Sequence, residues 1–343
     1  MKITIEVSKL NNIIDISSRF VAKNATLPIL QNIYLKGSID SLIIRATDME
    51  KYVEVEAPCE IRVEGAITIN AKTFADIIKT IEDKEVEISV DPQTNIMTIK
   101  SWKDNFEING ISASEYVALP DVPQENTITL DTHSLSDGIE KVEYSVTEKN
   151  FSPVLTGILM KSKEEDGEKK LVFVGTDSFR LTEYKTNWAI RWDDFSLIVP
   201  KVSIIDIKRI SDYAKEKNCE NVEVKYSDNL VAFQFEVDDM KILATSLLIQ
   251  GNFQDYEREE VMPKFFTIHC FDEICDISTI DSKCYWFSIH KYWNICFSCS
   301  FVCFSRWYCS FSIIYLYLYE IIYISGKYSY FFDCFFTIFF VYS

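Results

Sequence analysis

The chain has 343 residues and a formal net charge of −17 at pH 7. Its length allows two or three domains, each large enough to bury its own core. The negative charge argues, at first sight, against nucleic acid as a partner. The first ten residues lack the apolar segment of a signal peptide and predict a β-strand instead. Only Cys59 and Cys219 fall within the first 263 residues, which indicates a reducing, cytoplasmic location without a disulfide framework.

An internal repeat organises the chain. Residues 3–35 match residues 128–160 without a gap, with eight identical positions. The match continues at an offset of 129, where residues 71–81 lie over 200–210. Since such a repeat dictates architecture, we predict two consecutive domains at 1–123 and 124–263, followed by a different segment at 264–343.

The predicted elements have the same order in both repeats. An alternating strand opens each repeat, and an amphipathic helix of about four turns follows, with Ser8, and Thr132 or Ser134, as N-caps. Alternating strands lead to a second helix, at about 72–82 and 201–215, and three more strands end each repeat. This pattern predicts an α+β fold with two helices packed on antiparallel sheets per domain.

Basic residues are grouped on the helices. Lysines seven residues apart share a helix face, and the offset of 129 aligns Lys72 with Lys201 and Lys79 with Lys208. Arg19 and Lys23 form a shorter basic stripe on the first helix, and Lys149 and Arg209 lie close to the equivalent face of the second repeat. The first 263 residues carry 30 basic and 46 acidic side chains. Because the basic residues nevertheless share helix faces, positive and negative charges are separated on the surface. Two interpretations remain open, a solvated helix face and a surface that contacts the DNA backbone.

The sequence shows no catalytic constellation. It has three histidines without a second ligand at metal spacing, and no glycine-rich phosphate loop. A nuclease-like metal site is one interpretation of the carboxylates of residues 48–56, but solvent-facing strand positions explain them more simply. Thr47–Asp48 recurs as Thr176–Asp177, which favours a turn repeated in each domain. We expect no enzyme activity, no metal and no cofactor.

The segment after residue 263 has a different composition. It holds 8 of the 10 cysteines and 27 of the 48 aromatic residues, and it contains no Ala, Gln or Pro. Its uncharged run at 307–319 is 13 residues long and too short for a spanning helix. Its cysteines at 296, 299, 303 and 309 do not have the spacing of a zinc site. Residue types whose codons begin with T make up 48 of its 80 residues, which predicts a frameshifted segment in place of a third domain.

Five segments resemble one family in order and spacing. They include "RATDMEKYVEVE" at 45–56, "FVGTDSFRLTEY" at 173–184 and "LLIQGNFQDYEREEVMP" at 247–263, and they are similar to the bacterial DNA polymerase III beta subunit, the sliding clamp. The resemblance covers about residues 1–263. It implies three copies of a clamp fold closed head-to-tail as a homodimeric ring around double-stranded DNA, with basic helices inside and sheets outside.

The resemblance also assigns site residues. DNA-facing positions would be Lys23, Lys72, Lys79, Lys149, Lys201, Lys208 and Arg209. A cleft for peptides of the polymerase III catalytic subunit, the clamp loader and other clamp-binding proteins would involve Leu155, Thr176, Asp177, Arg180, Leu181, Tyr256 and Arg258, and Phe106 would be an exposed residue at the subunit interface. The chain departs from the family pattern at Ser178–Phe179, at Gln254 and in a longer "YEREEVMP" segment. Loss of the third domain would make the chain a defective or truncated copy whose ring does not close. The rival function is a membrane-tethered or partner-binding module that reuses two clamp domains.

Overall fold

A computed structural model of the chain describes residues 1–257, except 24, 26, 125, 149–151, 166 and 191–193, and two short strands at 267–269 and 283–285. The predictions about the cysteines, the uncharged run and the frameshift in 264–343 lie outside the described residues, as do Lys149 and Arg258.

The first half of the described chain contains two helices and nine strands. Its elements, in chain order, are β1 (Lys2–Glu6), α1 (Val7–Ser17), β2 (Asn32–Ser38), β3 (Ser41–Thr47), β4 (Lys51–Pro58), β5 (Glu60–Val63), β6 (Gly65–Asn70), α2 (Ala71–Thr80), β7 (Glu85–Asp91), β8 (Ile96–Lys100) and β9 (Asn105–Asn109).

The second half repeats this order with one strand fewer. Its elements are β10 (Asn126–Asp131), α3 (Thr132–Val142), β11 (Gly157–Glu165), β12 (Glu168–Thr176), β13 (Leu181–Ile190), β14 (Ser196–Pro200), α4 (Lys201–Glu216), β15 (Asn221–Tyr226), β16 (Leu230–Val237) and β17 (Met240–Leu247). A two-stranded pair, β18 (Thr267–His269) and β19 (Lys283–Tyr285), follows.

The two halves share one sheet. Strand β4 of the first half pairs antiparallel with β17 of the second, with Val53 opposite Ala244, which gives an eight-stranded sheet in the order β10-β15-β16-β17-β4-β3-β2-β6. The other large sheets have the orders β5-β1-β7-β8-β9 and β13-β12-β11-β14. All described strand pairs are antiparallel, which confirms the predicted α+β class with two helices per half; the boundaries at 123 and 263 stay a prediction.

One apolar core runs through both halves, between helices and sheets. Ile14 and Phe74 contribute to it from α1 and α2, and Ile139 and Ile207 from α3 and α4. Each large side chain of this kind stabilises the fold by about 1.5–3 kcal/mol through its burial. The 3.6-residue spacing of apolar residues therefore explains which face of each helix is covered.

The N-caps of α1 and α3 differ from the predicted ones. Helix α1 begins directly after Glu6, and Ser8 donates a hydrogen bond to the Glu6 carboxylate (2.6 Å), so Ser8 is not its N-cap. Asp131 caps α3 by accepting a hydrogen bond from the Ser134 amide (2.7 Å), so the N-cap lies one residue before Thr132. In both halves the strand runs into the helix without a separate capping turn.

The second helices are also offset by one residue from the sequence alignment. Strand pairing places Asn70 opposite Asn32 and Pro200 opposite Gly157, and Asn70 and Pro200 are the residues before α2 and α4. Because 32 and 157 correspond in the repeat, Asn70 corresponds to Pro200 at an offset of 130. Lys79 therefore corresponds to Arg209 rather than to Lys208, since each is the ninth residue of its helix.

The repeated Thr-Asp pair forms the same turn in each half, as predicted. The Thr47 hydroxyl donates to the Lys51 carbonyl (3.0 Å) and the Thr176 hydroxyl to the Arg180 carbonyl (2.8 Å). The Asp48 and Asp177 carboxylates each accept hydrogen bonds from the amides two and three residues further on, at 2.9–3.0 Å. The third residue of each turn, Met49 or Ser178, has a positive φ (81° and 77°).

Candidate functional site

The predicted DNA-facing lysines of the first half are exposed and unpaired. The side chains of Lys23, Lys72 and Lys79 are exposed, and within the described part of the chain none forms an ion pair or a side-chain hydrogen bond. Their ammonium groups are therefore available to an anionic ligand without first breaking an internal contact.

The basic residues of the second half have internal partners. Lys201 donates a hydrogen bond to the Val146 carbonyl (2.6 Å), and Lys208 lies between Asp212 (3.0 Å) and Glu140 (3.5 Å). Burial by itself would lower the pKa of Lys208, but the hydrogen bond and charge of Asp212, with Glu140, outweigh it and raise the pKa. The one-residue offset explains this environment. Lys208 is the eighth residue of α4, and the eighth residue of α2, Ile78, faces the core.

Arg209 is the exposed cation of α4. Its guanidinium lies 3.4 Å from Asp206, which is itself buried and also paired with Lys51 of the first half. The ammonium of Lys51 lies over the ring of Phe20, 5.3 Å from its centroid. A buried ion pair thus joins the start of β4 to α4 across the two halves.

The predicted peptide cleft contains the second of the two repeated turns. The hydroxyl of Thr176 and the carboxylate of Asp177 are used within the turn, and Asp177 also accepts a hydrogen bond from the Arg180 guanidinium (3.0 Å). That guanidinium stacks over Tyr144, 5.8 Å from the ring centroid. Thr176 and Asp177 therefore shape the turn, and Arg180 is the polar side chain that the turn positions.

An apolar cluster lies on the sheet face opposite the main core. We call it the outer cluster; it consists of Leu159, Val172, Val174, Leu181, Ile198 and Tyr256. The Tyr256 hydroxyl donates to the Glu183 carboxylate, and burial, followed by the charge of Glu183, raises the pKa of Tyr256. The structure thus brings Leu181 and Tyr256 together, whereas the neighbouring Leu155 is buried and is not part of this cluster.

Three residues that sequence reasoning missed cover the outer cluster. Val154, Ile249 and Phe253 are partly buried and pack against it, so they form the accessible apolar surface beside Leu181. The run "LVFVG" at 171–175 could have indicated this surface, because consecutive apolar residues in a strand predict burial of both sheet faces.

Phe106 lies on an edge strand, but it is less exposed than expected. It sits on β9, the last strand of the five-stranded sheet, opposite Ile99 of β8. Its side chain is partly buried against the main core. One edge of β9 is unpaired in the described part of the chain, so its backbone groups can accept another strand.

The carboxylates of strand β4 have partners on neighbouring residues of the sheet. Glu54 pairs with Arg45, and Glu56 accepts a hydrogen bond from Ser41 (2.9 Å). Among the described residues no group of His, Cys, Asp and Glu side chains is arranged to hold a metal ion. In the same part of the chain, no helix is long and apolar enough to cross a membrane.

Comparison with known proteins assigns both halves. The profile of the DNA polymerase III beta subunit, N-terminal domain, matches residues 1–120, and that of the central domain matches residues 129–255. The chain is 28% identical over 264 residues to the Bacillus subtilis beta sliding clamp, covering 74% of this chain and 66% of that protein. It therefore spans about two thirds of the length of this relative.

Solved structures agree with this assignment. The Bacillus subtilis DNA polymerase sliding clamp has a TM-score of 0.68 at 26% identity and covers 78% of this chain and 69% of its own. A Caulobacter crescentus beta sliding clamp with polyethylene glycol bound to its putative beta-motif tethering region has a TM-score of 0.68 at 27% identity, covering 78% and 69%. With both profiles matched in order, the chain belongs to the DNA polymerase III beta subunit family.

Proposed function

We propose that this chain is a non-catalytic sliding clamp. It encircles double-stranded DNA in the cytoplasm and tethers DNA polymerase III and other replication and repair proteins. The observation that carries the proposal is the edge-to-edge joining of two repeated units through β4 and β17, with α1–α4 packed on the shared core. Repeated units joined in this way hold DNA by enclosure rather than by tight contact.

The charge distribution supports a DNA-facing helix layer. Lys23, Lys72, Lys79 and Arg209 are exposed, although the chain as a whole carries a net charge of −17. Contacts between such cations and backbone phosphates are independent of sequence and weaken with salt, as a moving clamp requires. Lys201 and Lys208 are part of the same proposed layer with weaker contacts, because their charges are already paired.

A peptide groove is proposed on the opposite sheet face. Val154, Ile249 and Phe253 offer apolar contacts over the outer cluster, and Arg180 directly precedes Leu181 of that cluster in the chain. This arrangement suits a short peptide with one or two large apolar anchors and a carboxylate.

Enclosure is tested by the topology of the DNA. The full chain would be loaded by a clamp loader onto nicked circular duplex DNA, isolated by gel filtration at high salt, and then challenged by linearising the DNA. A homodimeric ring is retained on the circle and is lost once the DNA is cut, because it slides off the ends. Phe106→Asp on the β9 edge serves as the control expected to open the ring. Equal, salt-sensitive loss from circular and linear DNA would contradict enclosure.

A further inference from the structure

A cavity of about 320 Å³ lies where the sheets of the two halves join through β4 and β17. Residues 118–122, which connect the halves, form one wall, and strands β3, β4 and β17 form the floor. We call it the joint cavity; its floor residues are Arg45, Tyr52, Glu54, Leu243 and Thr245.

The joint cavity lies on the sheet face away from the helices. Val53 of β4 and Ala244 of β17 point into the main core, so the residues on either side of them point to the opposite face. No lining residue belongs to α1–α4 or to the outer cluster. The cavity is therefore separate from both the helix layer and the proposed peptide groove.

The segment that forms the cavity wall is fixed to the first half. The hydroxyl of Tyr116, two residues before the wall, lies within hydrogen-bond distance of the carbonyl oxygens of Asn32 (3.3 Å) and Arg45 (3.4 Å). Its ring centroid is 5.6 Å from that of Tyr34. These contacts hold the start of the wall in place without a ligand.

Thr245 brings a buried, unpartnered hydroxyl to the joint cavity. The residue is 5% exposed, and its hydroxyl has no hydrogen-bond partner within the described part of the chain. A buried hydroxyl without a partner is unfavourable, so a ligand that forms a hydrogen bond with it gains free energy. The hydroxyl therefore points to a polar ligand.

Two carboxylates and one guanidinium give the joint cavity an excess of negative charge. Arg45 forms an ion pair with Glu54 and lies over Tyr34, 5.6 Å from the ring centroid. Asp121 is exposed and forms no ion pair among the described residues, so its charge is uncompensated. The complementary ligand is a cation, and the chain's net charge of −17 favours a basic partner.

We propose that the joint cavity binds an arginine side chain of a partner protein. A guanidinium has several N–H donors and no acceptor, which matches the Glu54 and Asp121 carboxylates and the Thr245 hydroxyl. It also packs on aromatic rings, and Tyr52 offers its ring because its hydroxyl already donates to the Met49 carbonyl (2.7 Å).

The size and apolar lining of the cavity suit the rest of the side chain. Leu243, Leu119, Pro120 and Val122 supply contacts for the aliphatic part of an arginine. The volume is at the lower end for ligand sites, so it accepts one side chain rather than a larger molecule. The joint cavity thus adds a partner contact on the first half that the peptide groove does not provide.

The test measures binding of capped amino acids to the full chain by ligand-observed NMR titration. Nα-acetyl-arginine amide represents an arginine within a partner segment, and Nα-acetyl-citrulline amide has nearly the same shape without the charge. The arginine probe should bind about tenfold more tightly, because only its guanidinium forms charge-assisted hydrogen bonds. Equal affinities for the two probes would overturn the proposal.

Single substitutions locate the binding site. Asp121→Asn should weaken arginine binding about tenfold, whereas Asp40→Asn, which removes an exposed and unpaired carboxylate outside the cavity, should leave it unchanged. Thr245→Val should weaken binding about two- to tenfold, and Thr245→Ser, which keeps the hydroxyl, should retain it. Urea unfolding verifies that each variant is folded. Unchanged affinity in both Asp121→Asn and Thr245→Val would overturn the joint cavity as the site.

Free L-arginine distinguishes a partner protein from a small metabolite. Its additional ammonium and carboxylate are absent from a peptide, so it should bind no more tightly than the capped form. Tighter binding of the free amino acid would overturn a protein partner. All of these titrations are made without DNA, so their outcome does not depend on whether the chain encloses a duplex.

Discussion

Lys79 and Arg209 occupy the same position, the ninth residue, of α2 and α4, and both line one cavity where helices of the two halves meet. An alignment at a constant offset pairs Lys79 with Lys208, one residue away. On a helix, one residue turns the side chain by about 100°. Lys208 consequently lies near Glu140 of α3, whereas Arg209 is exposed.

The two lysine pairs should therefore contribute unequally to DNA binding. Lys72→Gln/Lys79→Gln removes two unpaired charges and should lower the salt slope by up to about 2 units. Lys201→Gln/Lys208→Gln should change the slope less and instead lower stability, because it breaks internal contacts. Duplex anisotropy and urea unfolding measure the two effects, and equal slopes for both variants would show that internal pairing is irrelevant.

The buried Lys51–Asp206 pair should hold the two halves together. Lys51→Met leaves the Asp206 carboxylate buried with only Arg209 nearby, and should cost about 2–4 kcal/mol in the free energy of unfolding. Adding Asp206→Leu should recover much of this loss, since no uncompensated charge then remains. Urea unfolding of the single and double variants gives the comparison. Additive losses would argue against a direct pair.

The repeated turns provide a matched test of the peptide groove. Asp48→Ala and Asp177→Ala each remove a carboxylate that accepts two amide hydrogen bonds, so both should lose about 1–3 kcal/mol of stability. Only Asp177→Ala also frees Arg180, and only this variant should weaken binding of a clamp-binding peptide in calorimetry. Equal peptide affinities for the two variants would show that the turn at Asp177 does not contribute to peptide binding.

Phe253 should contribute more to peptide binding than Leu155. Leu155→Asp places a carboxylate at a position that is 8% exposed, so it should destabilise the domain rather than act on the peptide alone. Phe253→Ala should weaken peptide affinity with a smaller loss of stability, because the side chain is only partly buried. Trp102→Ala, at a 91% exposed position of the first half, is the control and should leave affinity unchanged.

The segment that covers the outer cluster should withstand moderate acid. Partial burial would raise the pKa of Glu257, but Lys161 (2.6 Å) and Lys163 (3.0 Å) overcome it and hold the pKa at about 2. The pKa of Glu257 in the folded chain is thus below its ordinary value of 4.5, so the stabilisation is present above pH 4.5 and is lost as the pH falls towards 2. The stability difference between the chain and Glu257→Gln should shrink over this window; a constant difference would contradict the ion pairs.

Much of the fold could be read from local patterns. The strand–helix order, the gapless match between residues 3–35 and 128–160, and the turn at Thr47 and Thr176 depend on periodicity and on hydrogen bonds between near neighbours. These interactions span a few residues, so the sequence carries them directly. The N-caps were missed because Glu6 and Asp131 end strands that run straight into helices.

Long-range contacts determine which charged side chains of the site are paired. Sequence spacing alone could group Lys201, Lys208 and Arg209, but whether a lysine finds an internal partner depends on residues such as Glu140 and Val146, which lie more than fifty positions away. Packing of the helices likewise brings Arg19, Lys79 and Arg209 of the two halves to one cavity. Periodicity reports which face of an element is apolar, whereas the neighbour of a polar side chain is set by how the elements pack.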